Sequence, residues 1–131
     1  MGKSRPILSI YDAPFWESVR ARRLALQCCT ECSTTWYPPA PVCPHCLSQQ
    51  YQWRAVSGRG EILSWVIFHR QYFDDYPAPY NVVTVQLAEG PIITTNLVGD
   101  LPQGSWIGQP VRIDYTSGDS VGTLPVVVLD R

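Results

Sequence analysis

Two Cys-x-x-Cys pairs, Cys29/Cys32 and Cys43/Cys46, stand ten residues apart and constrain the first third of this chain more than any other feature. Each pair fits a tight knuckle turn that aims two sulfurs at a common metal about 2.3 Å away. The intervening segment is long enough for a β-ribbon to bring the knuckles face to face, and "YPPAP" stiffens it. Four thiolates in tetrahedral array favour zinc, with iron as the less common occupant. The metal is structural on this reading, because four protein ligands leave no position for a water. About 45 residues with few large apolar groups need such a staple to hold together. A thioredoxin-like redox pair would require one Cys-x-x-Cys beside a βαβ pattern, which is absent. His45, inside "CPHC", is read as a bystander, and Cys28 as a spare or core thiol, with a register-shifted ligand of Cys-x-x-x-Cys spacing as the alternative.

Chemistry in a reducing compartment agrees with this assignment. The amino terminus has no apolar run of signal-peptide length, and no stretch reaches the roughly 20 apolar residues of a membrane span. A cytoplasmic protein is therefore expected, where closely spaced cysteines are metal ligands more often than disulfides. The net charge of −1, with a single lysine, counts against a nucleic-acid binder.

Asp12 followed by "APFWESVRARR" reads as an N-cap, a first-turn proline and an amphipathic helix carrying Phe15, Trp16 and Val19 on one side, with Arg20, Arg22 and Arg23 at its end. "LALQC" reads as a short strand entering the cysteine segment. After Cys46 the texture changes to short runs, "YQWRAV", "GEILSWVIFH", "YNVVTVQL", "PIITTNLV", "VRIDYT" and "LPVVVLD", separated by turn residues. A mainly β protein is expected: an N-terminal helix and zinc ribbon over residues 1–50, then a small barrel of five or six strands over 51–131.

Acid and base groups are scarce. His45 and His69 are the only histidines, no G-x-S-x-G elbow occurs, and the metal site is closed, so catalysis by this chain alone is not expected. A contact between His69 and Asp74 or Asp75 is within reach in sequence. The "QYFDDYPAPY" loop has more aromatics than a solvated connector needs, which suits a protein interface.

The series of motifs "CTEC", "YPPAPVCPHC", "SGRGEILSW", "APYNVVTVQLAEGPIITTNLVG" and "IGQPVRIDY" resembles the acyl-CoA-associated zinc-ribbon/OB-fold proteins, long catalogued as a domain of unknown function, over nearly the whole chain. Ser33 stands where that family usually has glycine, and Ala40 where its connector often ends in arginine. The resemblance implies a rubredoxin-like ribbon ligated by Cys29, Cys32, Cys43 and Cys46, an OB-fold barrel, and a role as accessory subunit of a thiolase-like enzyme working on acyl-CoA. Family members assist acetoacetyl-CoA and hydroxymethylglutaryl-CoA formation, phloroglucinol acylation, or retro-aldol cleavage of a steroid side-chain thioester, and "FHRQYFDDYPAPYNVVTVQLAEGPIITTNLVG" is most similar to the last group. The phosphates of a coenzyme A thioester would need cations, for which Arg59 and Arg70 are the candidates, and a partner interface is expected at Phe15, Trp16, Tyr72, Phe73 and Tyr76. The rival function is a single-stranded nucleic-acid module, since ribbons and OB folds both serve that use.

Overall fold

In a computed structural model of the chain, which describes residues 10–72, 74, 77–117 and 122–130, one helix precedes eight strands. Helix α1 spans Ala13–Arg20, and the strands are β1 (Ala25–Cys29), β2 (Thr35–Trp36), β3 (Tyr51–Ala55), β4 (Arg59–Phe68), β5 (Tyr80–Leu87), β6 (Ile92–Thr95), β7 (Pro110–Ser117) and β8 (Thr123–Leu129). All six runs read as strands after Cys46 are strands. No described helix is long and apolar enough to cross a membrane.

The helix is shorter than its arginines suggested. Asp12 occupies the N-cap position, but its side chain makes no capping hydrogen bond. At the other end the Arg22 and Arg23 amides donate to the carbonyls of Val19 and Ser18, both at 2.9 Å, with Arg22 at φ +57°. That double bond closes the helix in a Schellman turn, so Arg22 and Arg23 lie beyond it. Phe15 and Val19 are buried on the inner face.

The first sheet has the order β2-β1-β3. Strand β3 therefore pairs with β1 along Ala25↔Ala55 to Cys29↔Tyr51, and not with the barrel strands to which its sequence run had been assigned. An alternating run reports that a strand exists, not which edge it joins.

The second sheet has the order β6-β5-β4-β7-β8, all antiparallel. A parallel bridge between Leu97 and Val127 joins its two ends, and the Val98 amide donates to Val127 and the Val127 amide to Asn96. Asn81 locks this seam: its side chain accepts from the Leu97 amide at 2.8 Å and donates to the Leu97 carbonyl at 2.9 Å. The result is the five-stranded Greek-key closure of an OB fold. Inside it lie Ile62, Val83, Val85, Leu87, Ile93, Leu97, Val111, Val127 and Leu129, with Trp106 stacked on Trp65 at 4.5 Å.

Phe15, Val19, Leu24 and Leu26 belong to this same core, so the helix and β1 pack directly on the barrel. Polar contacts fix the junction. Tyr115 Oη accepts from the Leu24 amide at 2.7 Å, and the Arg22 guanidinium donates to the Tyr115 carbonyl at 3.3 Å. Burial, eased by the Leu24 hydrogen bond and reinforced by Asp114, raises the Tyr115 pKa.

Candidate metal centre and barrel groove

The four thiols of Cys29, Cys32, Cys43 and Cys46 converge, with all sulfurs within 4.8 Å of one another. Cys29 and Cys46 Sγ are 3.5 Å apart, and Cys32 and Cys43 Sγ 3.6 Å. A tetrahedral zinc with sulfurs at about 2.3 Å needs them about 3.8 Å apart, so the donor set fits the ion in chemistry and in spacing.

Two backbone loops of the same design present these sulfurs. In the first, the Ser33 amide donates to Cys29 O at 3.0 Å and the Cys29 amide to Thr34 O at 2.8 Å. In the second, Leu47 donates to Cys43 O and Cys43 to Ser48 O, each at 2.9 Å. The Glu31 and His45 amides point at Cys29 and Cys43 Sγ respectively, both at 3.4 Å. Ser33 and Leu47 hold the equivalent left-handed positions, at φ +67° and +64°. That conformation costs a non-glycine residue on the order of 1 kcal/mol. Ser33→Gly is thus expected to raise the urea-unfolding free energy by about 0.5–1 kcal/mol with metal content unchanged, and a lower midpoint would show that the serine side chain supports the turn.

Thr34 favours ionisation of the neighbouring Cys32 thiol. Its side chain and backbone hydrogen bonds pull Cys32 down to about 6. At Cys46 a backbone hydrogen bond from Ser48 favours the thiolate, but desolvation and the other three sulfurs outweigh it and push the group up to about 12. A bound dication would favour the thiolate at Cys46 and so would displace its proton.

A second small core braces the centre: Cys29, Trp36 and Cys43 are buried, with Ala40 and Tyr51 against them. The connector is held by Gln27, fully buried in β1, whose amide accepts from the Ala40 N–H and donates to the Ala40 carbonyl, both at 2.8 Å. Sequence reading missed Gln27, because nothing in "LALQC" marks a partner 13 residues further on. His45 is exposed beside the cluster, and Cys28 is buried with its sulfur on the Ser33 and Cys29 carbonyls, outside the four-sulfur group.

Between α1 and the barrel seam runs a groove of about 530 Å³. Phe15, Trp16, Tyr37, Tyr80, Leu97 and Pro125 are among its walls, and no described lining residue is charged. Burial, with Asp12 nearby, raises the Tyr37 pKa, so its hydroxyl stays neutral in the groove wall.

The other predicted residues are dispersed. Phe15 is only 5% exposed, so it is core packing against Trp16 and Tyr37 and is not available to a partner; Trp16 is half-buried. Tyr72 is 58% exposed at the β4–β5 hairpin tip, against Phe68 and beneath the Arg70 guanidinium at 5.3 Å. Phe73, Asp75 and Tyr76 lie outside the described residues. Arg59 begins β4 and Arg70 follows its end, about 30 Å of strand apart, so the two do not clamp one phosphate. His69 is exposed, and among the described residues it makes no ion pair.

Comparison with known proteins agrees with both halves of this architecture. The profile of the ChsH2 rubredoxin-like zinc ribbon domain matches residues 16–52, and that of the ChsH2 C-terminal OB-fold domain matches 53–116. The chain belongs to the ChsH2 zinc-ribbon/OB-fold (DUF35) family. A solved chain described as part of an Ltp2-ChsH2(DUF35) aldolase is 37% identical, with a TM-score of 0.86 over 95% of this chain and 98% of that one. A probable enoyl-CoA hydratase alpha subunit of Thermomonospora curvata is 37% identical over 95% of this chain, and a DUF35 domain-containing scaffold protein of Methanocaldococcus jannaschii 27% identical over 74% of this chain and 71% of its own length. The chain spans 39% of the length of the Thermomonospora protein. In this family context the four-cysteine cluster is a structural zinc site.

Proposed function

We propose that this chain is a non-catalytic accessory subunit that binds a thiolase-superfamily enzyme and supports its reaction on an acyl-CoA thioester. The reaction is a condensation, a thiolysis or a retro-aldol cleavage, and the last, on a steroid side chain, is the form we favour. The observation that carries the reading is the match, along 95% of the chain, to the ChsH2-type component of a structure described as an Ltp2-ChsH2(DUF35) aldolase. The name of a Mycobacterium tuberculosis relative, a 3-oxo-4,17-pregnadiene-20-carboxyl-CoA hydratase alpha subunit 32% identical over 85% of this chain, supports a steroid-derived thioester.

The chemistry available here suits assistance more than catalysis. The described lining of the groove has no histidine, carboxylate, lysine or arginine, and the four-sulfur centre has no open coordination position. An uncharged groove is also poor ground for a phosphate backbone, so the oligonucleotide reading gains nothing from it. In our reading the aromatic hairpin tip at Tyr72, with Trp16 and the neighbouring Phe73 and Tyr76, meets the enzyme. Arg59 and Arg70 serve separate anionic groups, only one of them on the coenzyme.

Tagged protein drawn from its native cells should carry a thiolase-fold enzyme in stoichiometric amount, and thioester turnover should require both chains. Turnover by the pure chain alone, or recovery without any such enzyme, would remove the proposal.

A further inference from the structure

The two metal knuckles provide an internal comparison. They share two backbone hydrogen bonds, one N–H contact to the first sulfur and a left-handed residue, so residues at equivalent positions, Cys29 and Cys43, Glu31 and His45, Ser33 and Leu47, face similar local demands. At the left-handed position the backbone favours glycine or asparagine. The first knuckle places a small polar serine there. The second places a leucine, at φ +64° and 72% exposed to solvent.

A single exposed leucine ordinarily requires no explanation. This one is disfavoured twice, by its backbone and by its surroundings, and the matched knuckle shows that the fold needs neither. Its neighbourhood also differs: residues 41–50 contain no acidic residue, lysine or arginine, whereas the first knuckle carries Glu31. Pro44, His45 and Cys46 beside it are exposed as well. A protruding aliphatic side chain flanked in sequence by exposed residues without acidic groups, lysine or arginine has the composition of an interface centre, from which charges are depleted.

We infer that Leu47 is the anchor by which the second zinc knuckle docks, inserting into an apolar pocket of the partner enzyme. The inference rests on the accessory-subunit reading. It assigns the zinc a second duty, since the metal holds the turn that projects the anchor.

The test uses the full-length, zinc-loaded chain and the enzyme recovered with it. Leu47→Gly and Leu47→Asn relieve the backbone while removing the aliphatic group; Leu47→Met keeps an apolar one. Glycine and asparagine variants should unfold at a higher midpoint than the native chain yet bind the enzyme at least about tenfold more weakly, and the methionine variant should bind nearly as well as leucine. Gain of stability with loss of binding is a pattern that a packing role does not produce. Native affinity in Leu47→Gly overturns the inference and leaves the accessory role standing, as does a lowered unfolding midpoint in that variant. Recovery of no enzyme at all by the native chain overturns both.

Discussion

Cys43→Ala should abolish stoichiometric zinc binding and melt the ribbon while leaving the barrel folded. Cys43 is fully buried, and its sulfur lies 3.6 Å from Cys32 Sγ. Without it three sulfurs remain, and only Cys29 and Trp36 of the small core are still buried by large groups. Such a cluster cannot offset the ordering of the connector, because structural zinc contributes apparent binding free energies of about 10 kcal/mol or more in modules of this size. The barrel has its own apolar interior, to which Leu24 and Leu26 are joined, so β1 should stay docked at its first residues. Metal analysis and limited proteolysis would check this: cleavage is expected between residues 30 and 50, with fragments beginning near β3 persisting. Full metal content in the variant, or protection of that segment, would show that the fold does not depend on the ion.

Acid should reproduce the effect in the native chain. Zinc requires thiolates, and the Cys46 thiol is pushed up to about 12 in the metal-free cluster while Cys32 is pulled down to about 6. At neutral pH metal entry therefore displaces a proton from Cys46 but none from Cys32. Affinity falls as pH drops throughout the accessible range, and falls more steeply once Cys32 also takes a proton near 6. Release followed by a chromogenic chelator would display this steepening.

The strands were legible in the sequence because the chain alternates on most of them: Val83, Val85 and Leu87 point inward at every second position of β5 and leave Thr84 and Gln86 between them. The metal site was legible because spacing alone sets knuckle geometry. Strand partners were not, since "YQWRAV" reads equally well beside β1 or within the barrel. The helix end was overestimated because arginines suit both the last turn and the residues after it, and only the left-handed Arg22 distinguishes them. Gln27 and Asn81 were invisible for a shared reason. Each satisfies backbone groups more than ten residues away, Ala40 for one and Leu97 for the other, and no local pattern announces that distant partner. The separation of Arg59 from Arg70, by contrast, was already implied by a strand ten residues long.

Gly60 marks the place where the barrel tolerates least, and Gly60→Ala should destabilise the chain by about 3 kcal/mol. It sits in β4 between β5 and β7, opposite Leu87 on one side and Val111 on the other. An added Cβ would stand 2.5 Å from the Gln86 carbonyl oxygen and 2.9 Å from Val85 Cγ1. The first of these is backbone, held in the β5 ladder, and cannot swing aside. Relief therefore requires β4 and β5 to separate, at the start of the longest ladder in the barrel and beside the buried Ile62, Val85 and Leu87. Gly58, two residues earlier, supplies the control. It has φ +83°, but a Cβ there meets nothing nearer than 3.9 Å, so Gly58→Ala should cost only the backbone preference, on the order of 1 kcal/mol. Urea midpoints for the two variants, measured with zinc retained, separate steric closeness from conformational preference. Equal losses would mean that the β4–β5 ladder yields at Gly60, and that the barrel is not pinned there by contact between backbones.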